Sequence, residues 1–313
     1  MPMTSDAQRY AFAVPCHNEV ANIGALLKIL SSVTFQGAHA EKIVVVSDAS
    51  IDGTDDVVSE AARTSLVPIQ LITRSRLLGK CSAINRCLQE LPHVDIIVLV
   101  SADVIPADDC IAKLLATFRD PGLGVAGGRP LPSGDDSFWA VRVTKILWSV
   151  HHVIASDCPK TTEITAFRNV GFVLNEASLV DEAEIEHAIV ARGFRVAYVA
   201  EALVHTPSPL TIRDYMKQRI RVTRGHILLR HRSGFAISSL SIRTRVKAVL
   251  RVVRADSSDW LALALGVILE MAIYLAANVQ TYTRPVRSGA WEPIKSTKRV
   301  VEKAPPGGPL NLT

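Results

Sequence analysis

The stretch Val98-Leu99-Val100-Ser101-Ala102-Asp103-Val104-Ile105-Pro106 (VLVSADVIP) decides how this chain is read. With Ile96 and Ile97 ahead of it, five apolar and mostly β-branched residues stand together. A run that short and unbroken predicts a strand covered on both faces, as in a parallel sheet. Ser101-Ala102-Asp103 falls at the strand's carboxyl end, and Pro106 suits the first turn of a following helix. In open α/β sheets ligands bind beyond the carboxyl ends of the strands, so Asp103 is expected at a site and not in the core. A carboxylate there is an oxygen ligand for a hard cation, which usually also holds phosphate oxygens. Taken alone, Asp103 equally suits a helix N-cap.

Outward from this stretch the same unit repeats. Tyr10–Val14 is a short strand, Pro15-Cys16-His17-Asn18-Glu19 turns out of it, and 21–30 has helical apolar spacing. Residues 42–47 form a second strand that ends in Ser47-Asp48-Ala49-Ser50-Ile51-Asp52-Gly53-Thr54, with a helix after it. Residues 68–73 form a third strand, followed by the basic loop 74–80 and a helix over 81–91. Three β–loop–α units leading into a fourth strand predict an α/β, doubly wound, mostly parallel sheet flanked by helices. Asp52-Gly53 reads as a turn that caps the next helix. Further on, helices are expected at 107–118, 137–155, 181–192 and 212–229, and strands at 124–128, 162–167 and 194–199. His151 and His152 are read as helix surface.

Composition sets bounds on this. The chain has 313 residues, 48% hydrophobic and 21% charged, which excludes a disordered chain and allows a sizeable core. A net charge of +5 requires no nucleic-acid partner, and anionic lipid or phosphate is compatible with it. A mean hydropathy of +0.23 points to membrane contact. Five cysteines without a C-x-x-C pair suggest reduced thiols facing the cytosol, neither a disulfide framework nor a zinc site. The N-terminus lacks a basic segment followed by an apolar one, so no secretory signal is expected.

Two familiar signatures fail on context. Gly122-x-Gly124-x-x-Gly127 precedes a strand instead of following one. Gly79-Lys80 lacks the earlier glycine and the following Ser or Thr of a phosphate loop. What remains is an ordered set: PCHNE after the first strand, SDASIDGT after the second, GKCSAIN after the third and SAD after the fourth. Later come Asp181-Glu182, eleven residues before Gly193 for Glu182, and Gln218-Arg219-Ile220-Arg221-Val222. Over roughly 10–225 this set resembles the family 2 glycosyltransferases with a GT-A fold. Their patterns are P-x-x-N-E, D-D-x-S-x-D-G-T, G-K-x-x-A-x-N, D-x-D, an E-D or D-D pair, and Q-x-x-R-W.

The resemblance implies an inverting transferase that moves a sugar from a nucleotide-sugar donor, by default a uridine one. It assigns Pro15, Asn18, Glu19, Asp48, Arg76, Lys80, Ser101, Asp103, Gln218 and Arg221 to donor binding, with Asp48 on the base and Lys80 and Arg76 reaching the diphosphate. It implies a divalent cation, Mn²⁺ or Mg²⁺, on Asp103, with His205 as a possible further ligand. Glu182 is the implied catalytic base, with Asp181 as the alternative; as bare residues both suit a charged first helical turn. Two departures stand out. Ser101 replaces the first Asp of D-x-D, and Val222 replaces the Trp that provides an aromatic platform, which argues against a processive polymer synthase. They also motivate the rival reading of a degenerate scaffold that binds without catalysis. A sugar-nucleotidyl transferase is the rival on the same scaffold, but PCHNEVAN does not resemble its basic, Gly-rich loop.

The remaining chain has a different character. Residues 243–254 alternate bases with apolar residues, as an interfacial helix does. Residues 260–279 are apolar except for Glu270 and Asn278, long enough to span a bilayer. The expected organisation is a catalytic domain at 1–230, a basic interfacial segment at 231–259, a membrane anchor helix at 260–279 and a flexible tail at 280–313. The expected partners are a nucleotide sugar, a lipid or glycan acceptor and the membrane, with the catalytic domain facing the cytoplasm.

Overall fold

A computed structural model of the chain describes residues 8–237, 241–255, 259–286, 289–290, 297–298 and 300–301. In chain order the elements are β1 (Tyr10–Cys16), α1 (Ile23–Ser32), β2 (Thr34–Phe35), β3 (Ala38–His39), β4 (Ile43–Asp48), α2 (Thr54–Thr64), β5 (Ile69–Arg74) and α3 (Lys80–Gln89). Next are β6 (Ile96–Val100), β7 (Ile105–Pro106), α4 (Cys110–Ala116), β8 (Leu123–Ser133), α5 (Trp139–Asp157), β9 (Ile164–Arg168) and α6 (Asp181–Val190). The chain continues through β10 (Arg195–Pro207), α7 (Ile212–Ser233), α8 (Ile242–Ala255) and α9 (Trp260–Thr283).

Eight strands form one sheet in the order β5-β4-β1-β6-β9-β8-β10-β7, and β2 pairs with β3 apart from it. The four strands β5, β4, β1 and β6 run parallel, which puts the carboxyl ends of β1, β4 and β6 side by side. The strand β9 is antiparallel to both of its neighbours. Alternation sets the two cores. Tyr10, Phe12 and Val14 face one side of β1 with α1 and α4, while Ala11 and Ala13 face the other with α3 and α6. A slip of one residue would exchange the aromatics for alanines, so the register is strongly specified. The small alanines leave room for α3 to lie close on β1.

Local expectations fail where pairing overrides propensity. Pro106 does not open a helix. It lies in β7 opposite Val204 of β10, at the edge of the sheet, where a missing N–H costs no ladder bond. The helix expected from residue 107 starts at Cys110. The strand β8 runs on to Ser133 through Pro130 and Pro132, because β9 pairs with it only as far as Gly127. The strand β10 runs to Pro207, with an irregularity between Tyr198 and Leu203. Gly124 in β8 has a packing role. A Cβ there would sit 2.4 Å from the Cβ of Phe194 and 2.5 Å from Ile189, so only glycine lets α6 and the β10 entry approach this strand. Asp52 and Gly53 behave as expected: the carboxylate accepts from the N–H of Thr54 at the start of α2, and Gly53 has φ 92°.

The two C-terminal helices pack on this body. Ala262, Gly266, Leu269, Ile273 and Ala277 form the buried face of α9 against α5 and α7. Arg142 of α5 binds Asp259, which caps α9 by accepting from Ala262 N. Glu270 accepts from Arg219 at 2.9 and 3.0 Å and from the hydroxyl of Tyr215 at 2.8 Å. The other face of α9 exposes Trp260, Ile268, Met271, Leu275 and Tyr282. Among the described residues α9 alone is long and apolar enough to cross a membrane. The helix passes the expected end at Val279 and reaches Thr283. Most of the tail expected to be flexible lies outside the described residues. No disulfide joins the five cysteines; four are buried and Cys158 is exposed.

Candidate active site

The carboxyl ends of β1, β4 and β6 open into a cavity of about 1160 Å³. Its floor is built by turns that hold one another. Asn18, at φ 52°, takes the N–H of Ile51 on its side-chain oxygen at 2.9 Å, and its own N–H donates to Ser50. His17 Nδ1 is 2.6 Å from the carbonyl of Asp48. The Asp48 carboxylate, 3% exposed, accepts from the N–H groups of Leu78 and Gly79, the latter at 2.7 Å, and lies 3.5 Å from Arg74. Its first task is therefore to pin the loop between β5 and α3 to the end of β4. Gly79 sits at φ 102° against the backbone of Gly289, where a Cβ would come within 2.5 Å.

Ser101 and Asp103 follow β6 into the same cavity. Glu19 lies across from them, buried and bonded by Asn22 and by Lys298, whose ammonium also donates to the carbonyl of His17 at 3.0 Å. Burial pushes the Glu19 carboxyl up to about 7, with the Asp103 charge adding to it and Lys298 opposing. Glu163, beside β9, rises to about 8 through burial and the nearby charge of Glu182, with Asp103 contributing further.

The third group comes from the start of α6. Lys80 Nζ lies 2.8 Å from Asp181 and 3.5 Å from Glu182. Burial, followed by the Asp181 charge, holds the Glu182 carboxyl above its ordinary range, while Lys80 pulls it down. The carbonyl of Glu182 accepts from the Thr161 hydroxyl at 3.0 Å. Gln218 and Arg221, three residues apart on α7, line the same wall, and Arg221 lies in the field of Asp181, Glu182, Glu163 and Asp103.

The model of a family described as "Glycosyltransferase like family 2" matches residues 7–225. The chain belongs to this family. It is 27% identical to an O-antigen chain rhamnosyltransferase of Salmonella typhimurium, over 62% of this chain and 66% of that protein. It is 24% identical to an N-acetylglucosaminyltransferase of Bradyrhizobium diazoefficiens, over 67% of this chain and 47% of that protein. The matches thus span between about half and two thirds of these relatives. The structure superposes on a mannosyltransferase of Pyrobaculum calidifontis, solved with GDP-Man and Mn²⁺, at a TM-score of 0.60 and 21% identity, covering 89% and 88% of the two chains. The fold is therefore GT-A.

Against the motifs of glycosyltransferase-like family 2, the cavity gathers Pro15, Glu19, Asp48, Lys80, Ser101, Asp103, Asp181, Glu182, Gln218 and Arg221. Three expected residues do not line it. Asn18 holds the turns together from behind, Arg76 is exposed on the loop, and His205 is buried in β10 opposite Ile105, with Thr206 and Pro207 lining the cavity instead. Lys80 sits on the α6 carboxylates. His151 lines the cavity and His152 bonds the Tyr198 hydroxyl, so neither is simple helix surface. Glu163, Lys160 and Lys298 escaped the sequence reading, since no motif frames them. The Asp103 carboxylate suits a hard cation, and its charge adds to the raised proton affinity of Glu19 and Glu163 nearby. Among the described residues no three acidic, His or Cys side chains form a ready ligand cage. A cation on Asp103 would complete its shell with diphosphate oxygens and water.

Proposed function

We propose that the chain is an inverting glycosyltransferase that moves a sugar from a nucleotide-sugar donor, by default a UDP-sugar, to a lipid or glycan acceptor at a membrane. The supporting observation is the juxtaposition in one cavity of the Asp103 turn, which suits the donor diphosphate, and the Lys80–Asp181–Glu182 group, which suits a base. Asp48 keeps the loop at Leu78–Gly79 in place, so that the base of the donor meets a rigid wall. Arg221 from α7 and Lys298 from the side of Glu19 supply positive charge for the diphosphate, while Lys80 sits on the α6 carboxylates. Glu182, with its affinity for protons raised by burial, accepts the proton of the acceptor hydroxyl. The freed oxygen attacks the sugar C1 in line, the C1–O bond to the diphosphate breaks, and the nucleoside diphosphate leaves with the bonding pair. Asp103 would hold a divalent cation, which would supply charge neutralisation for that leaving group.

The exposed apolar faces of α8 and α9 support membrane association. One side of α9 is fastened to α7 through Glu270 and Arg219, which suits a helix lying along the domain with its outward apolar side in the lipid interface.

The test is nucleotide release from a panel of nucleotide sugars, with and without Mn²⁺ or Mg²⁺. Slow, metal-dependent release of one nucleotide is expected, lost in Asp103→Asn. In Glu182→Gln donor binding should persist, while transfer to an acceptor falls by about 10²–10⁴-fold, the usual worth of a general base. Donor binding without turnover under every acceptor tried, unchanged by Glu182→Gln, would mean a scaffold that binds but does not catalyse.

A further inference from the structure

The turn that carries Ser101 and Asp103 has a neighbour on the adjacent strand. The strands β6 and β9 are antiparallel, and Val100 pairs with Ile164. Ser101 follows the last residue of β6 and Glu163 precedes the first of β9. Both leave the sheet at the same end, and both line the cavity. Position 101 thus carries a serine where the D-x-D motif carries a carboxylate, and a carboxylate stands across the ladder from it at 163.

The backbone around Glu163 is fixed on both sides. The N–H of Thr161 donates to Glu186 at 2.9 Å, and the Thr161 hydroxyl lies 3.0 Å from the carbonyl of Glu182. The Thr162 hydroxyl donates to the carbonyl of Gly128 at 2.6 Å, and the Thr162 carbonyl accepts from the Thr165 hydroxyl at 2.9 Å. Glu163 is therefore tied to the turn of α6 that carries the base. Its carboxyl is left open to the cavity. Asp181 has Lys80 and Glu186 has Thr161, whereas among the described residues the Glu163 carboxyl forms no hydrogen bond or ion pair. The charges of Glu182, Lys80 and Asp103 act on it together, which sets it between the base and the turn assigned to the diphosphate. A half-buried carboxyl without a protein partner is costly unless a ligand supplies one. In an in-line transfer the moving sugar occupies the space between base and leaving group.

We propose that Glu163 selects the transferred sugar: its carboxyl hydrogen-bonds hydroxyl groups of the sugar ring, so that the site takes an uncharged sugar and turns away a uronate. The inference rests on the proposed glycosyl transfer. A carboxyl serves here in either protonation state, since it accepts from hydroxyls when ionised and donates to one when protonated. A sugar carboxylate in the same place would meet Glu163 and the α6 pair, with Lys80 already shared by that pair and Arg221 serving the diphosphate.

Binding is measured by calorimetry on the full chain with Mn²⁺, using UDP-glucose, UDP-N-acetylglucosamine, GDP-mannose, UDP-glucuronate, UDP and GDP. The neutral sugar nucleotide that binds best should lose about 10–100-fold in Glu163→Ala and about tenfold in Glu163→Gln, the worth of hydrogen bonds to a charged group. Its free nucleoside diphosphate should change less than about twofold in both. Glu163→Gln keeps the side-chain volume and removes no protein hydrogen bond, so its melting temperature should not fall and it keeps the test open if Glu163→Ala is unstable. Equal losses for the sugar nucleotide and its nucleoside diphosphate overturn the inference, because Glu163 would then serve the diphosphate or the cation. UDP-glucuronate binding as tightly as the best neutral donor overturns it too, as does a lowered melting temperature with unchanged sugar affinity. Nucleotide release is followed on the same preparations. Release that proceeds with wild-type sugar affinity in both variants removes the role of Glu163 and leaves the transferase reading standing. If no sugar nucleotide binds, the transferase reading falls and this inference falls with it.

Discussion

Replacing Lys80 by methionine removes one charge from the α6 carboxylate pair and keeps most of the side-chain volume. The ammonium is 2.8 Å from Asp181 and 3.5 Å from Glu182. Two unit charges about 4 Å apart at an effective dielectric of about 20 attract by about 4 kcal/mol. The Lys80 and Glu182 side chains are 27% and 26% exposed. Screening then reduces the effect on Glu182 to roughly 1–2 kcal/mol. Burial and Asp181 raise the Glu182 carboxyl, and Lys80 pulls it down most, ahead of a backbone hydrogen bond and Arg221. A base works deprotonated, so activity is lost as pH falls through that raised value. Without Lys80 the acid limb moves to higher pH. At a fixed pH on that limb kcat should fall about tenfold, because 1.4 kcal/mol is a factor of ten. The assay is kcat and donor KM against pH for both proteins, with a melting curve at each pH, since a buried Asp181 without its partner costs about 3–5 kcal/mol of stability. An unmoved acid limb together with a raised donor KM would refute the reasoning, because Lys80 would then be serving the diphosphate.

Two further outcomes follow from charges that meet across the fold. Lys298→Ala removes the cation that bridges Glu19 and the His17 carbonyl, and donor KM should rise about tenfold, the loss of one charge-assisted contact, with kcat less affected; steady-state kinetics with varied donor would show it. Glu270→Gln leaves Arg219 without its counter-charge and should cost about 2–3 kcal/mol in urea unfolding, less than for a fully buried pair because both groups are partly exposed. A loss below about 0.5 kcal/mol, the range of an ordinary surface change, would mean that α9 is held by apolar contact alone.

Much of the candidate site was legible because its elements are local. The apolar runs at 43–46 and 96–100 could only be strands, and the turns after them carry Asp48 and Asp103 at fixed offsets from the strand ends. Gln218 and Arg221 share a helix face by spacing alone. Arg76 and His205 do not line the cavity, for a physical reason. A basic loop residue can point to solvent as readily as inward, and His205 pairs with Ile105 of β7 inside the sheet while the strand end at Thr206 and Pro207 lines the cavity. Pro106 looked like a helix start because propensity ignores the edge position that β10 offers it.

The amino-acid sequence by itself determined the order of strands and helices, the turns at the strand ends and the motif residues they carry, because each depends on neighbours a few positions away. Only the tertiary structure decided which charges meet. Lys80 reaches residues about a hundred positions later, and Lys298 returns to Glu19 across 279 positions. Lys160, Arg219 and Arg245 converge from the segment before β9 and from two separate helices. Electrostatic partnership depends on distance in space and on burial, and both are set by how the sheet and its covering helices pack, which no local spacing encodes.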